Sequence, residues 1–230
     1  MAFISVFDVI GPNMIGPSSS HTAGANVIGY LARNFAPDRI VRVTFRLYGS
    51  FAKTYRGHGT DKALLGGLLG FRSDDERIIR SFEFAEKEGI AFEFVPQETD
   101  EDVHPNTADI IMECANGKVM SVRGESLGGG KARICRINGV EVDFSGEYHA
   151  MFVIQNDRPG VLAHITHCLS ESSVNIAFMR LFREEKGNVA YTFAESDDPI
   201  PEDVVIAVKL NRNVQDVMLI RSIAGGKDEL

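Results

Sequence analysis

Apolar positions along the chain switch between a helical and a two-residue period, and each switch falls at a turn signal. Over 18–35, Ala23, Val27, Ile28 and Leu31 recur at helical spacing behind N-cap candidates Ser18 to Ser20, and Pro37 closes the helix. Arg39–Leu47 alternates, with Ile40, Val43, Phe45 and Leu47 mostly on one face, which predicts a half-buried strand. Ala63–Phe71 reads as a helix whose Gly66, Gly67 and Gly70 permit close packing. Ser73 with Glu76 fits a capping box for a helix reaching about Glu88, stopped by Gly89. Ile90–Val95 follows as a strand with phenylalanines on its inner face. Two hairpins are expected across Asn116-Gly117 and Asn138-Gly139, with Gly128–Gly130 a flexible joint between them.

Beyond Ser145–Tyr148, which reads as a domain boundary, the order is strand 150–154, helix 161–171, strand 174–181, strand 189–194, helix 198–208 and strand 214–220. That is a βαββαβ pattern. The expected fold class is therefore α+β: an α/β sandwich front domain over 1–146, a ferredoxin-like module over 149–222, and a tail over 223–230.

A chain of 230 residues with 44% hydrophobic positions can build two modest cores. A net charge of -8 without any Lys/Arg-rich run argues against nucleic acid and against an anionic membrane surface as partners. No apolar run reaches the ~20 residues of a spanning helix. The first residues lack a basic segment, so no signal peptide is expected. The final Lys227-Asp228-Glu229-Leu230 reads as a chance match to a retention signal. Cys114, Cys135 and Cys168 fit no metal-ligand spacing, and reduced thiols in a cytoplasmic protein are expected. No metal site is expected on this chain.

The densest chemistry lies at Gly16–Ala25. Ser18, Ser19, Ser20, His21 and Thr22 stand where a Gly-Pro turn hands over to a helix. Unpaired N–H groups and the positive end of the helix dipole favour a carboxylate or phosphate there, and an imidazole beside them can move a proton near neutral pH. The same serines also suit a plain N-cap. A second histidine loop, Gly57-His58-Gly59, and His104-Pro105-Asn106 lie downstream. A serine nucleophile served by adjacent His21 is a third option, disfavoured because neighbours on one helical turn rarely align as nucleophile and base.

The segment Asn156-Asp157-Arg158-Pro159-Gly160-Val161-Leu162, followed by Val174-Asn175-Ile176, resembles the ACT family of amino-acid sensors. Gly160 bares the helix N–H groups to a ligand carboxylate, while Asp157 and Asn175 suit its amino group. A purely dimer-forming module fits the same pattern. The front resembles the β chain of the iron–sulfur-dependent L-serine dehydratases. The matching segments are Phe7–Pro12 (FDVIGP), Gly16–Ala25 (GPSSSHTAGA), Gly49–Asp61 (GSFAKTYRGHGTD) and His104–Asn106 (HPN).

The resemblance implies a lyase subunit, active only with an α chain, that deaminates L-serine to pyruvate and ammonia. It implies a [4Fe–4S] cluster held by that α chain, whose open iron acts as Lewis acid on the serine hydroxyl. His21 and His58 would be catalytic. Ser18, Ser19, Ser20, Thr22 and Asn106 would bind substrate, although His104 and Asn106 equally suit a turn. Lys53 and Arg56 suit a carboxylate or a solvated edge, and Asp61 a helix cap. Asp157, Gly160 and Asn175 would hold a regulatory ligand, with β–β pairing through the ACT modules. His149, His164 and His167 read as surface or interface groups. The competing expectation is a non-catalytic regulatory protein, since the front of these dehydratases is itself similar to a binding domain of some phosphoglycerate dehydrogenases.

Overall fold

The computed structural model describes residues 14–98, 103–183 and 185–223. Phe7–Pro12 and Lys227–Leu230 lie outside the described residues. The chain divides into two compact units, Met1–Gly139 and Val140–Leu230.

In the first unit a π-helical turn, Ser19–Gly24, runs into α1 (Ala25–Arg33). The sequence period does not distinguish these two kinds of turn. Next come β1 (Ile40–Leu47), α2 (Gly49–His58) and α3 (Thr60–Leu68). A 3-10 helix (Glu76–Arg80), α4 (Ser81–Lys87), β2 (Ala91–Pro96), β3 (Thr107–Cys114), β4 (Val119–Gly128) and β5 (Lys131–Ile137) complete the unit. The order of these strands in their sheet is β2-β1-β3-β4-β5, and β6 (Val140–Phe144) belongs to the second unit. Strand β2 is parallel to β1, while β1/β3, β3/β4 and β4/β5 are antiparallel.

Alternation along the strands buries one face: Val43, Phe45 and Leu47 of β1 and Ala108, Ile110 and Met112 of β3 are fully buried. Helices α1 and α3 cross closely because Gly29 and Gly67 carry no Cβ. One at Gly67 would lie 2.0 Å from the Asn26 carbonyl oxygen, and one at Gly29 2.1 Å from that of Leu64. Asn26 then donates its side-chain amide to the carbonyls of Phe71 and Ala63, at 3.0 and 3.3 Å. The phenylalanines of β2 pack inward, Phe94 stacking on Phe45 at 4.8 Å between centroids.

Three local features differ from what the sequence pattern suggests. Residues 49–58, polar and glycine-rich, form a full helix that periodicity does not reveal. The cap before Arg80 is Asp75, not Ser73: its carboxylate accepts the Arg77 N–H at 2.9 Å and grips that guanidinium, so a 3-10 turn precedes α4. Gly128–Gly130 forms the tight turn joining β4 to β5, with Gly128 paired to Lys131, rather than a loose joint. Asn138 and Gly139 both take positive φ, 48° and 89°, as a two-residue hairpin requires.

The second unit runs β7 (His149–Asn156), α5 (Val161–Glu171), β8 (Phe178–Arg183), β9 (Val189–Ser196), α6 (Glu202–Lys209) and β10 (Val214–Ile220). Its sheet is antiparallel in the order β10-β7-β9-β8, the ferredoxin-like arrangement. Both helices cover one face through Met151, Val153, Ile165, Leu169, Val204 and Val208. On the other face Phe152 and Phe193 are buried, and Phe193 stacks on Phe144 at 4.9 Å. Strand β8 begins at Phe178, later than the alternation of Val174 and Ile176 suggests, because the Val174 N–H still closes α5 on the Leu169 carbonyl. Helix α6 starts at Glu202, after Pro201. Among the described residues no helix is long and apolar enough to cross a membrane.

Candidate active site

Four separate stretches converge at one end of the first unit. Ser18 caps the π turn: its hydroxyl accepts the His21 backbone N–H at 3.2 Å and lies 3.3 Å from His21 Nδ1. A π turn is wider than an α turn and is often found at functional sites. In this chain it sets His21 half-buried above α2, whose Ser50 hydroxyl lies 2.9 Å from His21 Nε2. Thr22, directly after His21 and buried, donates to the His58 carbonyl at 3.3 Å, so the two histidine segments are tied together.

His58 closes α2. Its ring centroid lies 4.9 Å from that of His21, tilted by 34°, and Phe51 meets His21 edge-on at 5.4 Å. His58 Nδ1 lies 3.4 Å from the Thr54 carbonyl. A carbonyl only accepts, so Nδ1 carries the ring proton and the lone pair belongs to Nε2. Burial, and then repulsion from His58, lower the His21 pKa below its ordinary value.

The third stretch is His104-Pro105-Asn106. The Pro105 carbonyl accepts the Ser50 N–H at 2.7 Å and the Phe51 N–H at 3.4 Å. Gly49 makes this approach possible: it sits at φ +51°, and a Cβ there would lie 2.7 Å from the Pro105 oxygen. His104 Nδ1 accepts the Asn106 N–H at 3.3 Å, and its carbonyl accepts the Thr107 hydroxyl at 2.6 Å. The Asn106 carbonyl accepts the Ser126 N–H at 2.9 Å, while Asn106 Oδ1 is buried without a hydrogen-bond partner. Ser126, from β4, is the fourth contributor. Its hydroxyl donates to the Ser20 carbonyl at 2.9 Å, and a Cβ on Gly24 would meet it at 2.0 Å.

The structure thus places His21, His58, Ser18, Ser20, Thr22 and Asn106 in one connected constellation, with Ser19 half-buried in the same turn. Lys53 and Arg56 point outward from α2 as exposed residues. Asp61 is buried in the first turn of α3, and its carboxyl is raised by burial. Sequence reasoning misses Ser50 and Ser126. Ser50 stands inside the Gly49–Asp61 segment and Ser126 just before the triple glycine, and neither hydroxyl has a local pattern to mark it.

In the second unit Asp157 is engaged internally. It accepts the Gly187 N–H at 3.0 Å and the Arg183 guanidinium at 2.5 Å, which hold its carboxyl below the ordinary range. Gly160, at φ +88°, and Asn175 are exposed. No hydrogen bond joins the side chains of Asp157 and Asn175. His164 Nε2 donates to the Ala207 carbonyl at 3.1 Å, bracing α5 on α6, and His167 is exposed.

A cluster-binding chain needs accessible thiolates in one place. Cys114 and Cys135 lie on β3 and β5 and Cys168 on α5, all three free, and burial raises each, Cys135 to about 12. Among the described residues no group of three or more His, Cys, Asp or Glu is placed to hold a metal ion. This donor set does not fit a resident iron–sulfur cluster.

The family model described as "Serine dehydratase beta chain" matches residues 5–81, and that described as "AHAS small subunit-like ACT domain" matches residues 151–214. The "Probable L-serine dehydratase, beta chain" of Bacillus subtilis is 43% identical over 205 residues, covering 89% of this chain and 92% of that protein. The "L-serine dehydratase, beta chain" of Peptoniphilus asaccharolyticus is 39% identical over 208 residues, 90% of this chain and 94% of that protein. A "D-3-phosphoglycerate dehydrogenase" of Methanocaldococcus jannaschii is 29% identical over 126 residues, 55% of this chain but 24% of that protein. The second unit is ACT-like in both matched residues and strand order, and similarity at this level over nearly the whole length places the chain in the serine dehydratase β chain family.

Proposed function

We propose that this chain is the β subunit of an L-serine dehydratase and supplies the proton-handling half of an active site completed by an α chain. The observation that carries the reading is the His21–His58 pair, 4.9 Å between ring centroids, beside a turn lined by Ser18, Ser19 and Ser20. Two relatives that match about nine-tenths of both chains are named as β chains, which does not favour the non-catalytic alternative. The [4Fe–4S] cluster expected from the resemblance belongs to the α chain; the β chain contributes binding and proton transfer through its own side chains.

Substrate carboxylate oxygens meet the hydroxyls of Ser19 and Ser20 while the Ser18 hydroxyl stays on His21, and the ammonium meets the unpartnered Oδ1 of Asn106. His58 Nε2 takes the α-proton as general base. The Cβ–O bond breaks, and proton and hydroxyl leave together as water. The aminoacrylate that remains tautomerises to an imine, which water hydrolyses to pyruvate and ammonia. His21 stays neutral beside His58, its pKa lowered, and so adds no second positive charge when His58 is protonated. In the ACT-like unit, Gly160 and Asn175 would contact an amino-acid effector, Asp157 would hold the neighbouring loop through Arg183 and Gly187, and two β chains would pair through these units.

The test is reconstitution. The chain and its α partner are purified anaerobically, separately and mixed, and pyruvate is followed from L-serine. Activity only in the mixture supports the reading. Equal activity of the α partner alone would remove this chain from the chemistry.

A further inference from the structure

The geometry points to Ser50 as a positioning residue that holds the His21 imidazole in its Nε2–H form, an inference that rests on the proposed proton-handling role of the histidine pair. Three of the converging stretches meet at Ser50, through its side chain and its backbone. Its hydroxyl lies 2.9 Å from His21 Nε2 on the π turn. Its backbone N–H donates to the Pro105 carbonyl at 2.7 Å, and its own carbonyl accepts the Thr54 hydroxyl at 2.8 Å, one helical turn on. Thr54 in turn offers its carbonyl to His58 Nδ1 at 3.4 Å. A short chain of hydrogen bonds therefore runs from His21 through Ser50 and Thr54 to His58.

The Ser18 oxygen accepts the His21 backbone N–H at 3.2 Å, and in the assigned arrangement its own proton turns to His21 Nδ1 at 3.3 Å. With Nδ1 accepting, the ring proton resides on Nε2 and is donated to the Ser50 oxygen. The two serines thus fix both the tautomer and the tilt of His21 against His58. Such a hydroxyl is the counterpart of the partner that orients an imidazole at a metal site, where loss costs roughly 10- to 100-fold in activity. The Ser50 proton is left free to point away from His21.

Two measurements test the clamp. In long-range ¹⁵N–¹H ring spectra of the full-length chain at pH 7.5, His21 is expected as a single Nε2–H tautomer in the wild type and as an averaged mixture in Ser50→Ala, with His58 unchanged. In the complex with the α chain, Ser50→Ala is expected to lower kcat for L-serine by roughly 10- to 100-fold with KM within about threefold, and Ser50→Thr, which keeps the hydroxyl, to restore most of kcat. A wild-type His21 that already averages its tautomers, or a Ser50→Ala variant with unaltered ring spectrum and kcat, overturns the inference. A wild-type complex that forms no pyruvate instead overturns the functional reading, and the ring spectra still decide the clamp.

Discussion

His21 Nε2 and the Ser50 hydroxyl meet at 2.9 Å although one stands on the π turn before α1 and the other at the start of α2. The contact faces His21 towards His58 and leaves its ring half-buried beside a second imidazole. The ring's lowered pKa follows from that placement and makes stability depend on pH.

Burial and His58 favour neutral His21 in the folded state, so the unfolded chain, with its ordinary histidine value of 6.5, binds more protons near that pH. A lowered basic group stabilises nothing extra above 6.5 and costs stability as pH falls below it. Urea unfolding at pH 7.5 and 5.5 should show a loss on acidification that is smaller in His21→Asn. Equal losses in the two proteins would contradict this.

Gly49 should not tolerate a side chain. Its φ of +51° and the 2.7 Å approach of the Pro105 oxygen leave no space for a Cβ. Gly49→Ala is expected to cost about 1–3 kcal/mol, read as a lower thermal midpoint. The same variant should weaken turnover by shifting Ser50.

The half-buried thiol of Cys135 should be nearly inert. With its pKa pushed up to about 12, roughly one molecule in ten thousand carries the thiolate at pH 8. Labelling with a disulfide reagent should be far slower than for a free thiol and should accelerate only on unfolding. Rapid native labelling at Cys135, located by peptide mass, would contradict it.

Arg180 in β8 pairs with Glu195 of β9 at 2.6 Å, and Glu195 is only 1% exposed. Removing the guanidinium leaves a buried carboxylate alone. Arg180→Leu is expected to destabilise the second unit by about 3 kcal/mol, and adding Glu195→Gln should recover part of the loss. Chemical unfolding of the three proteins provides the check.

Much of this architecture is legible in the sequence where one physical signal dominates. The two Asn-Gly hairpins and the alternation of β1 follow directly, and Met112 and Met120 lie buried opposite one another. Helix α2 escapes because only Phe51 is buried on it, so its residues carry no apolar stripe. The capping signals also compete within a few residues: Asp75, an acceptor placed two residues from an arginine, prevails over Ser73. At the site, Ser18, His21 and His58 stand out as residue types, whereas Ser50 and Ser126 become part of it only through the tertiary approach of α2 and β4 to the π turn. Hydroxyls are common, and nothing local marks the two that fold onto a histidine or onto its turn.

The most direct measurement is pyruvate formation from L-serine by the reconstituted α–β pair carrying His58→Asn, with complex formation verified by size-exclusion chromatography. Loss of the general base should lower kcat by roughly 10²- to 10⁴-fold while the pair stays assembled. An assembled variant turning over at the wild-type rate would contradict the role of His58 as the base.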